Sequence, residues 1–425
     1  MVSIITIAVI VSLLIAGLRY PGALLAGTFA TYQAGALLNF PQLVIIYTAV
    51  AGAVIMIRFV AGHNRSHFAL IDGATFLLLL LCTASQLWSL DTDKSAPLLL
   101  QLVLSIGGMY LIGRFQTGDP LRLMQQMCLF LAISGAVLGF CLLANRATGS
   151  WTAQHRLILE GSDAAAVGLS QSWPAMLLAC VILLFNGRSL SQLVGLVCLP
   201  IIGYVAIIAA TRSVFLAFAV GAIVYIVSSL SMRNAPRLLF GVITTVAAGF
   251  AAVFVMPAEQ FALAFGRFDD LFSSSDGGVA DASARERLDL FTTTWSLLRD
   301  HPFGGIGYGA FGHFAKQDYP HNLFLEILVS LGATGFAAFI IWLLVLLLSQ
   351  VTLLLRAQGA AAIILAMTMM TLTQLQVSFA FSMAKPLFLM VALTACFLPR
   401  SYAGTVRAPR VPKDKEDAML QVVER

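Results

Sequence analysis

Three arginines and one histidine stand where their side chains could do chemistry. Arg212 lies in AATRSVFLAF, where one apolar run ends and the next begins, flanked by the hydroxyls of Thr211 and Ser213. Arg285 and Arg287 lie at the head of SARERLDLFTTTWSLL. Guanidinium groups beside hydroxyl donors at helix starts make a site for a phosphate or diphosphate. His321 follows Tyr319-Pro320 and opens the next apolar run. A neutral imidazole near a helix N-terminus is suited to accept a proton, because the helix dipole disfavours its charged form. Each residue also has a plainer reading. Arg212 is then a helix-end arginine reaching the interface. Glu286 and Asp289 simply pair with the two loop arginines, and His321 is a polar residue at a helix end.

The elements that must position these residues are membrane helices. Of the 425 residues, 59% are hydrophobic and 11% charged, against about 45–50% and about 25% in soluble domains. That balance excludes a water-soluble enzyme, a disordered chain and a nucleic-acid-binding protein, despite the net charge of +5. A bilayer crossing needs about 20 mostly apolar residues. Candidate spans are 2–18, 22–39, 42–60, 73–88, 96–113, 123–144, 165–186, 191–210, 213–231, 238–256, 322–349, 359–380 and 384–399. The expected fold is an all-α polytopic integral membrane protein of about 12 transmembrane helices, between about 11 and 13. The six cysteines all fall inside apolar runs, with no ligand or redox spacing, so they read as small buried hydrophobes.

Basic connectors recur every second turn of the chain: Arg58 and Arg65, Arg114 and Arg122, Arg188, Arg233 and Arg237, Arg356, and the tail. They are assigned to the cytoplasm. The organisation expected is membrane helices over 1–256, an external loop over 257–320, further membrane helices over 321–399, and a disordered basic cytoplasmic tail over 400–425. The loop carries nine acidic and five basic residues, and a loop so long is usually functional. Within it Leu288, Phe291, Trp295 and Leu298 recur at helical spacing, predicting a short amphipathic helix along the membrane surface.

Other motifs carry less. Gly307-Tyr-Gly309-Ala-Phe-Gly312 has the spacing of a dinucleotide fingerprint, but lacks the strand and the soluble βαβ unit that fingerprint needs. Its glycines are expected to let the backbone turn tightly and approach a substrate or neighbouring helix. No ATP-binding loop motif occurs, and Asp91-Thr-Asp93, the sole D-x-D, is not placed near the loop. Gln374 and Gln376 read as interhelical hydrogen-bond partners rather than an ion site.

The sequence resembles the O-antigen ligase and O-antigen polymerase superfamily. The resemblance rests on SQLWSLDTDKSAPLL (85–99), TRSVFLAF (211–218), R-L-x-x-F with HPFGGIGYGAF (287–311), and HNLFLEILVSLGATGF (321–336). It implies a GT-C-like glycosyltransferase of the bacterial inner membrane, acting at the periplasmic face. Such an enzyme takes a glycan from an undecaprenyl-diphosphate carrier and places it on lipid A–core or on a second carrier-linked repeat. The resemblance maps the family's diphosphate-binding arginines onto Arg212 and Arg287, with Arg285 close enough to share that role, and its catalytic histidine onto His321. Phe291 stands where the family usually has Trp. The chemistry implied is metal-independent and inverting, with no cofactor; the partners are the lipid-linked donor, the glycan or lipid acceptor and the bilayer, and no nucleic acid. The alternative reading is a secondary transporter or lipid-linked-sugar flippase, which normally marks its pathway with charges near the bilayer midplane.

Overall fold

Each expected apolar run folds as a helix wherever it falls within the described residues. The computed structural model describes residues 1–62, 67–145, 170–186, 188–208, 212–230, 282–356 and 358–405. The expected span 238–256, connector 145–164 beyond Asn145, Arg65, Arg233, Arg237, segment 257–281 and the tail from 406 lie outside them.

Among the described residues there are thirteen α-helices and no strand. They are α1 (Val2–Arg19), α2 (Pro21–Leu37), α3 (Leu43–Ala61), α4 (Leu70–Ala84), α5 (Thr92–Arg114), α6 (Pro120–Ala144) and α7 (Trp173–Asn186). Then follow α8 (Ser189–Ile208), α9 (Arg212–Ser229), α10 (Ala282–Asp300), α11 (Leu323–Arg356), α12 (Gln358–Val377) and α13 (Lys385–Thr405). Eight of the described helices are long and apolar enough to cross a bilayer, and α7, α9 and α13 are shorter apolar helices. Their outward faces carry Ile4, Ile15, Ile57, Leu77, Val197, Ile223 and Leu355, all exposed. So wide an apolar surface suits lipid rather than water. This is a polytopic integral membrane protein.

Within the run expected over 165–186, the described residues form a 3-10 turn at Ser170–Ser172 and an α-helix from Trp173, with Pro174 tolerated in the first helical turn. Helix α13 runs to Thr405, past the expected end at 399 and into the segment expected to be a disordered tail. The run expected to end at 349 continues to Arg356 and is interrupted at Gly332, where φ is 66°. Helix α2, rich in Gly, Ala and Thr, is buried on nearly all sides between α1, α3 and α6, because small residues let neighbouring backbones approach closely.

Polar staples fix the bundle internally. Trp342 Nε1 donates to Thr75 Oγ1 at 3.0 Å, and Gln350 Nε2 to Thr368 and Thr394 at 2.7 and 3.2 Å. Where α4 begins and α5 ends, Arg114 grips Asp72 through Nε at 2.8 Å and a terminal nitrogen at 2.9 Å. It also donates to the His67 carbonyl, and Tyr110 donates to the same carboxylate at 2.5 Å. The bidentate geometry offsets the cost of burying both charges.

Helix α10 packs against α11 through a row other than the Leu288–Trp295 row expected to face the membrane surface. Leu290, Thr294 and Leu297 are buried, with Leu290 and Leu297 in a small core with Ile306, Ala310, Phe311 and Val329. Leu288 and Trp295 are 51% and 53% exposed. The helix carries apolar residues on two faces; one meets protein and the other points outward.

Candidate active site

The site is assembled around the interruption in α11. At Gly332 the helical hydrogen-bond ladder breaks, and the Pro302–Gly307 segment replaces it. Ile306 and Gly307 donate to the carbonyls of Val329 and Ser330 at 2.9 and 3.0 Å. Ala333 and Thr334 donate to the carbonyls of Pro302 and Phe303 at 2.9 and 3.4 Å. A broken membrane helix persists only where its freed backbone groups are paired in this way. The approach requires glycine: a Cβ at Gly332, φ 66°, would fall 2.2 Å from Phe303 O, and one at Gly307, φ 92°, would fall 2.5 Å from Ser89 Cα. The glycines of the loop therefore bring backbone against a neighbouring helix, one of the two roles expected of them.

The other side of the loop is held by the α4–α5 connection. Trp88 Nε1 donates to Gly304 O at 2.8 Å, Leu90 N to Ile306 O at 3.0 Å and Gln86 Nε2 to Tyr308 O at 3.1 Å. Lys94 Nζ reaches Gly312 O at 3.0 Å, and His313 Nδ1 lies 3.3 Å from Asp91 Oδ2. Asp91-Thr-Asp93 thus lies against the loop, contrary to expectation. Asp91 serves as the N-cap of α5, accepting from Lys94 N at 3.1 Å.

Between these elements is a cavity of about 220 Å³ lined by Leu98, Gln101, Tyr308, Tyr319, Glu326 and Ser382, among others. Beside it stands His321, whose ring centroid is 4.4 Å from that of Tyr319. Asn322 caps α11, its Oδ1 accepting from Leu325 N at 3.1 Å, so the chain turns sharply at His321, which takes a left-handed φ of 55°. Such a conformation is uncommon for a residue with a side chain and recurs at functional sites. His321 Nδ1 lies 3.3 Å from the carbonyl of Ser378. A carbonyl only accepts, so that bond places the proton on Nδ1 and leaves the Nε2 lone pair available.

Electrostatics joins His321 to Arg287. Burial holds the imidazole below the ordinary histidine value and the Arg287 charge acts in the same direction, against the Ser378 carbonyl and Glu286. Tyr319 is raised to about 12, chiefly by burial and then by Glu326 and Asp318, with Arg287 opposing. The Arg287 charge thus acts on both His321 and Tyr319.

Arg212 and Arg285 are described in backbone position only: each stands at or near the start of its helix, α9 and α10. The α9 start is at the same end of the bundle as the cavity. Its far end is tied to the far end of α7 through Asn186 Nδ2 and Tyr225 Oη at 2.5 Å. The start of α7 is tied to the cavity segment through Gln171 Nε2 and Met383 O at 2.6 Å.

Several participants carried no signal in the sequence reading. Glu326 is buried in the first turn of α11, and one carboxylate oxygen accepts from Phe381 N at 2.8 Å. Its place in HNLFLE was visible; its partner 55 residues away was not. Tyr308 and Ser382 line the same cavity, and burial keeps the Tyr308 phenol well above its ordinary value. Gln374 and Gln376, expected to bond across helices, instead have buried side-chain nitrogens without a partner. They sit near the Gln376 and Ser378 carbonyls that hold Asn322 and His321. Among the described residues no group of three His, Cys, Asp or Glu side chains converges as a metal-ligand set.

Comparison with known families adds the deciding observation: residues 196–340 match the family model described as O-antigen ligase. The superfamily resemblance read from the motifs is borne out. Comparison with curated proteins finds no match. The O-antigen ligase segment contains Arg212, Arg285, Arg287, the glycine loop, His321 and the Gly332 break. The residues that hold His321 and Glu326 in place, Ser378 and Phe381, lie beyond it, as do Trp88 and Leu90. The match supports a ligase- or polymerase-type role in O-antigen biosynthesis, a class that works on lipid-linked glycan and an acceptor.

Proposed function

We propose that the protein is a GT-C-like glycosyltransferase of the bacterial inner membrane. It transfers a glycan from an undecaprenyl-diphosphate carrier to a hydroxyl of lipid A–core or of a second carrier-linked repeat, at the periplasmic face. The observation that carries this reading is the His321 Nδ1–Ser378 carbonyl contact, beside the Arg287 charge. It leaves a neutral imidazole with Nε2 as a proton acceptor next to a cation suited to a diphosphate.

In the proposed step the acceptor hydroxyl attacks the anomeric carbon and its proton passes to His321 Nε2. The bond from the anomeric carbon to the carrier's phosphate oxygen breaks, and the diphosphate leaves onto Arg212 and Arg287, with Arg285 as a third ligand. A single displacement inverts the anomeric centre. The arginines take the charge-neutralising part that a divalent cation plays elsewhere, so the reaction is metal-independent. An enzyme is favoured over a transporter or flippase because Asp72, Arg114, Glu326, Arg356 and Lys385 all lie near helix ends, away from the midplane where transport pathways place their charges.

The test is His321→Ala at matched protein level. Loss of a general base lowers the rate by about 10²–10⁴, with carrier binding retained and with His301→Ala and His313→Ala much milder. Wild-type transfer by His321→Ala would overturn the base assignment. Deletion of the gene separates the two reaction types. Single carrier-linked repeats accumulate if a polymerase is lost, and full-length unattached polymer if a ligase is lost.

A further inference from the structure

Lys385 opens α13 and is 7% exposed. Its ammonium lies over the Tyr32 ring of α2, 5.5 Å from the centroid, and no carboxylate among the described residues pairs with it. A buried cation without a counter-ion is the costly arrangement in a membrane helix. Its place at a helix N-terminus, where the dipole is already positive, adds to the cost. An aromatic face recovers only part of it. A methionine or leucine would fill the position without that penalty, so packing does not explain the charge.

The same end of the bundle holds polar hydrogens with nothing to meet. Trp173 Nε1 at the head of α7 and Ser213 Oγ at the head of α9 are buried without a partner, as is the Tyr32 hydroxyl. Trp173 and Ser213 are 0% and 3% exposed. The head of α7 is wedged beside Lys385: Ser172 Oγ donates to Phe29 O of α2 at 2.8 Å, and Gln171 donates to Met383 O at 2.6 Å. Three O–H or N–H groups lack an acceptor at the end of the bundle that holds a cation with no carboxylate partner among the described residues; the missing component is an anion.

The segment from Ser378 to Lys385 links this corner to the reacting groups. Its Ser378 carbonyl holds His321, its Phe381 N–H holds Glu326, and its Met383 lines the cavity. We infer that Lys385 is a further cation for the diphosphate of the lipid-linked donor, meeting it from the α2–α7 side of this segment. The inference rests on the donor reading proposed above. It adds a binding residue outside the O-antigen ligase segment, in the stretch 378–385, which contains no arginine.

The experiment uses the full chain in nanodiscs, with farnesyl diphosphate as the probe and farnesol and inorganic pyrophosphate as companions. The wild type is expected to bind farnesyl diphosphate. Lys385→Met is expected to weaken that binding at least tenfold and leave farnesol binding unchanged. It should also raise the thermal midpoint, since an unpaired buried charge has been removed. Lys385→Arg is expected to stay within a few-fold of wild type. Equal affinity of wild type and Lys385→Met for farnesyl diphosphate overturns the assignment of Lys385 alone. So does a Lys385→Arg variant as weak as Lys385→Met, or a Lys385→Met variant with a lowered midpoint that loses farnesol as well. Pyrophosphate bound as tightly as farnesyl diphosphate overturns the lipid source of the anion. A wild-type protein that binds no farnesyl diphosphate overturns the donor reading and this inference with it.

Discussion

At the residue scale the site depends on the protonation of one imidazole. Because burial and Arg287 both hold His321 below its ordinary value of 6.5, the base is neutral at neutral pH. It gains a proton, and activity falls, only as pH drops through that lowered value. The acidic limb of kcat/KM is therefore expected below pH 6.5, and Arg287→Gln should move it upward, since one of the groups opposing protonation is gone. An unmoved limb in that variant would show that the two side chains are not coupled. Glu326 offers a second test. Glu326→Gln keeps an oxygen for Phe381 N–H and should accumulate normally. Glu326→Leu leaves that buried donor unpaired and should cost roughly 1–3 kcal/mol, read as a lower midpoint in a thermal-shift assay. His321 and Arg287 were legible because their signals are local: a residue type beside a proline, or a helix start. Ser378 and Phe381 were not, because backbone groups carry no mark of which distant side chain they will hold.

At the scale of elements, the apolar pattern placed the helices but not the faces they use. Helix α10 shows why: Leu288 and Trp295 repeat as regularly as Leu290 and Leu297, so periodicity alone does not say which row meets protein. The break in α11 was likewise hidden, since Gly332 sits in an otherwise continuous apolar run, and its reason lies in a loop that precedes it. This break is testable. Gly332→Ala places a side chain at φ 66° with its Cβ 2.2 Å from Phe303 O. With ψ at −170° the backbone lies in a region essentially reserved for glycine, which alone costs roughly 1–3 kcal/mol, and the contact adds to it. Gly118→Ala is the control, with φ 92° but open space around its Cβ. Gly332→Ala should lower both the thermal midpoint and transfer activity more than Gly118→Ala does; equal effects would mean that the loop contact contributes nothing.

At the scale of the whole molecule, alternating basic connectors predict the side on which the site lies. Lys316 is exposed in the loop that carries the site, and Arg122 is exposed at the head of α6, at the Asp72–Arg114 end of the bundle. A cysteine replacing Lys316 should react with a membrane-impermeant thiol reagent once the periplasm is accessible, and a cysteine replacing Arg122 should react only after the inner membrane is opened. The reverse pattern would invert the topology. The interruption at Gly332 has one more consequence. It severs a short rod, from Leu323 to Leu331, from the long shaft that follows. That rod carries His321 at its tip and Glu326 along its length, and its seat is set by Ile306 and Gly307. The proton acceptor is thus geared to the glycine loop. It cannot swing away unless backbone hydrogen bonds open where no water replaces them, so damage anywhere along the loop will register as a misplaced base.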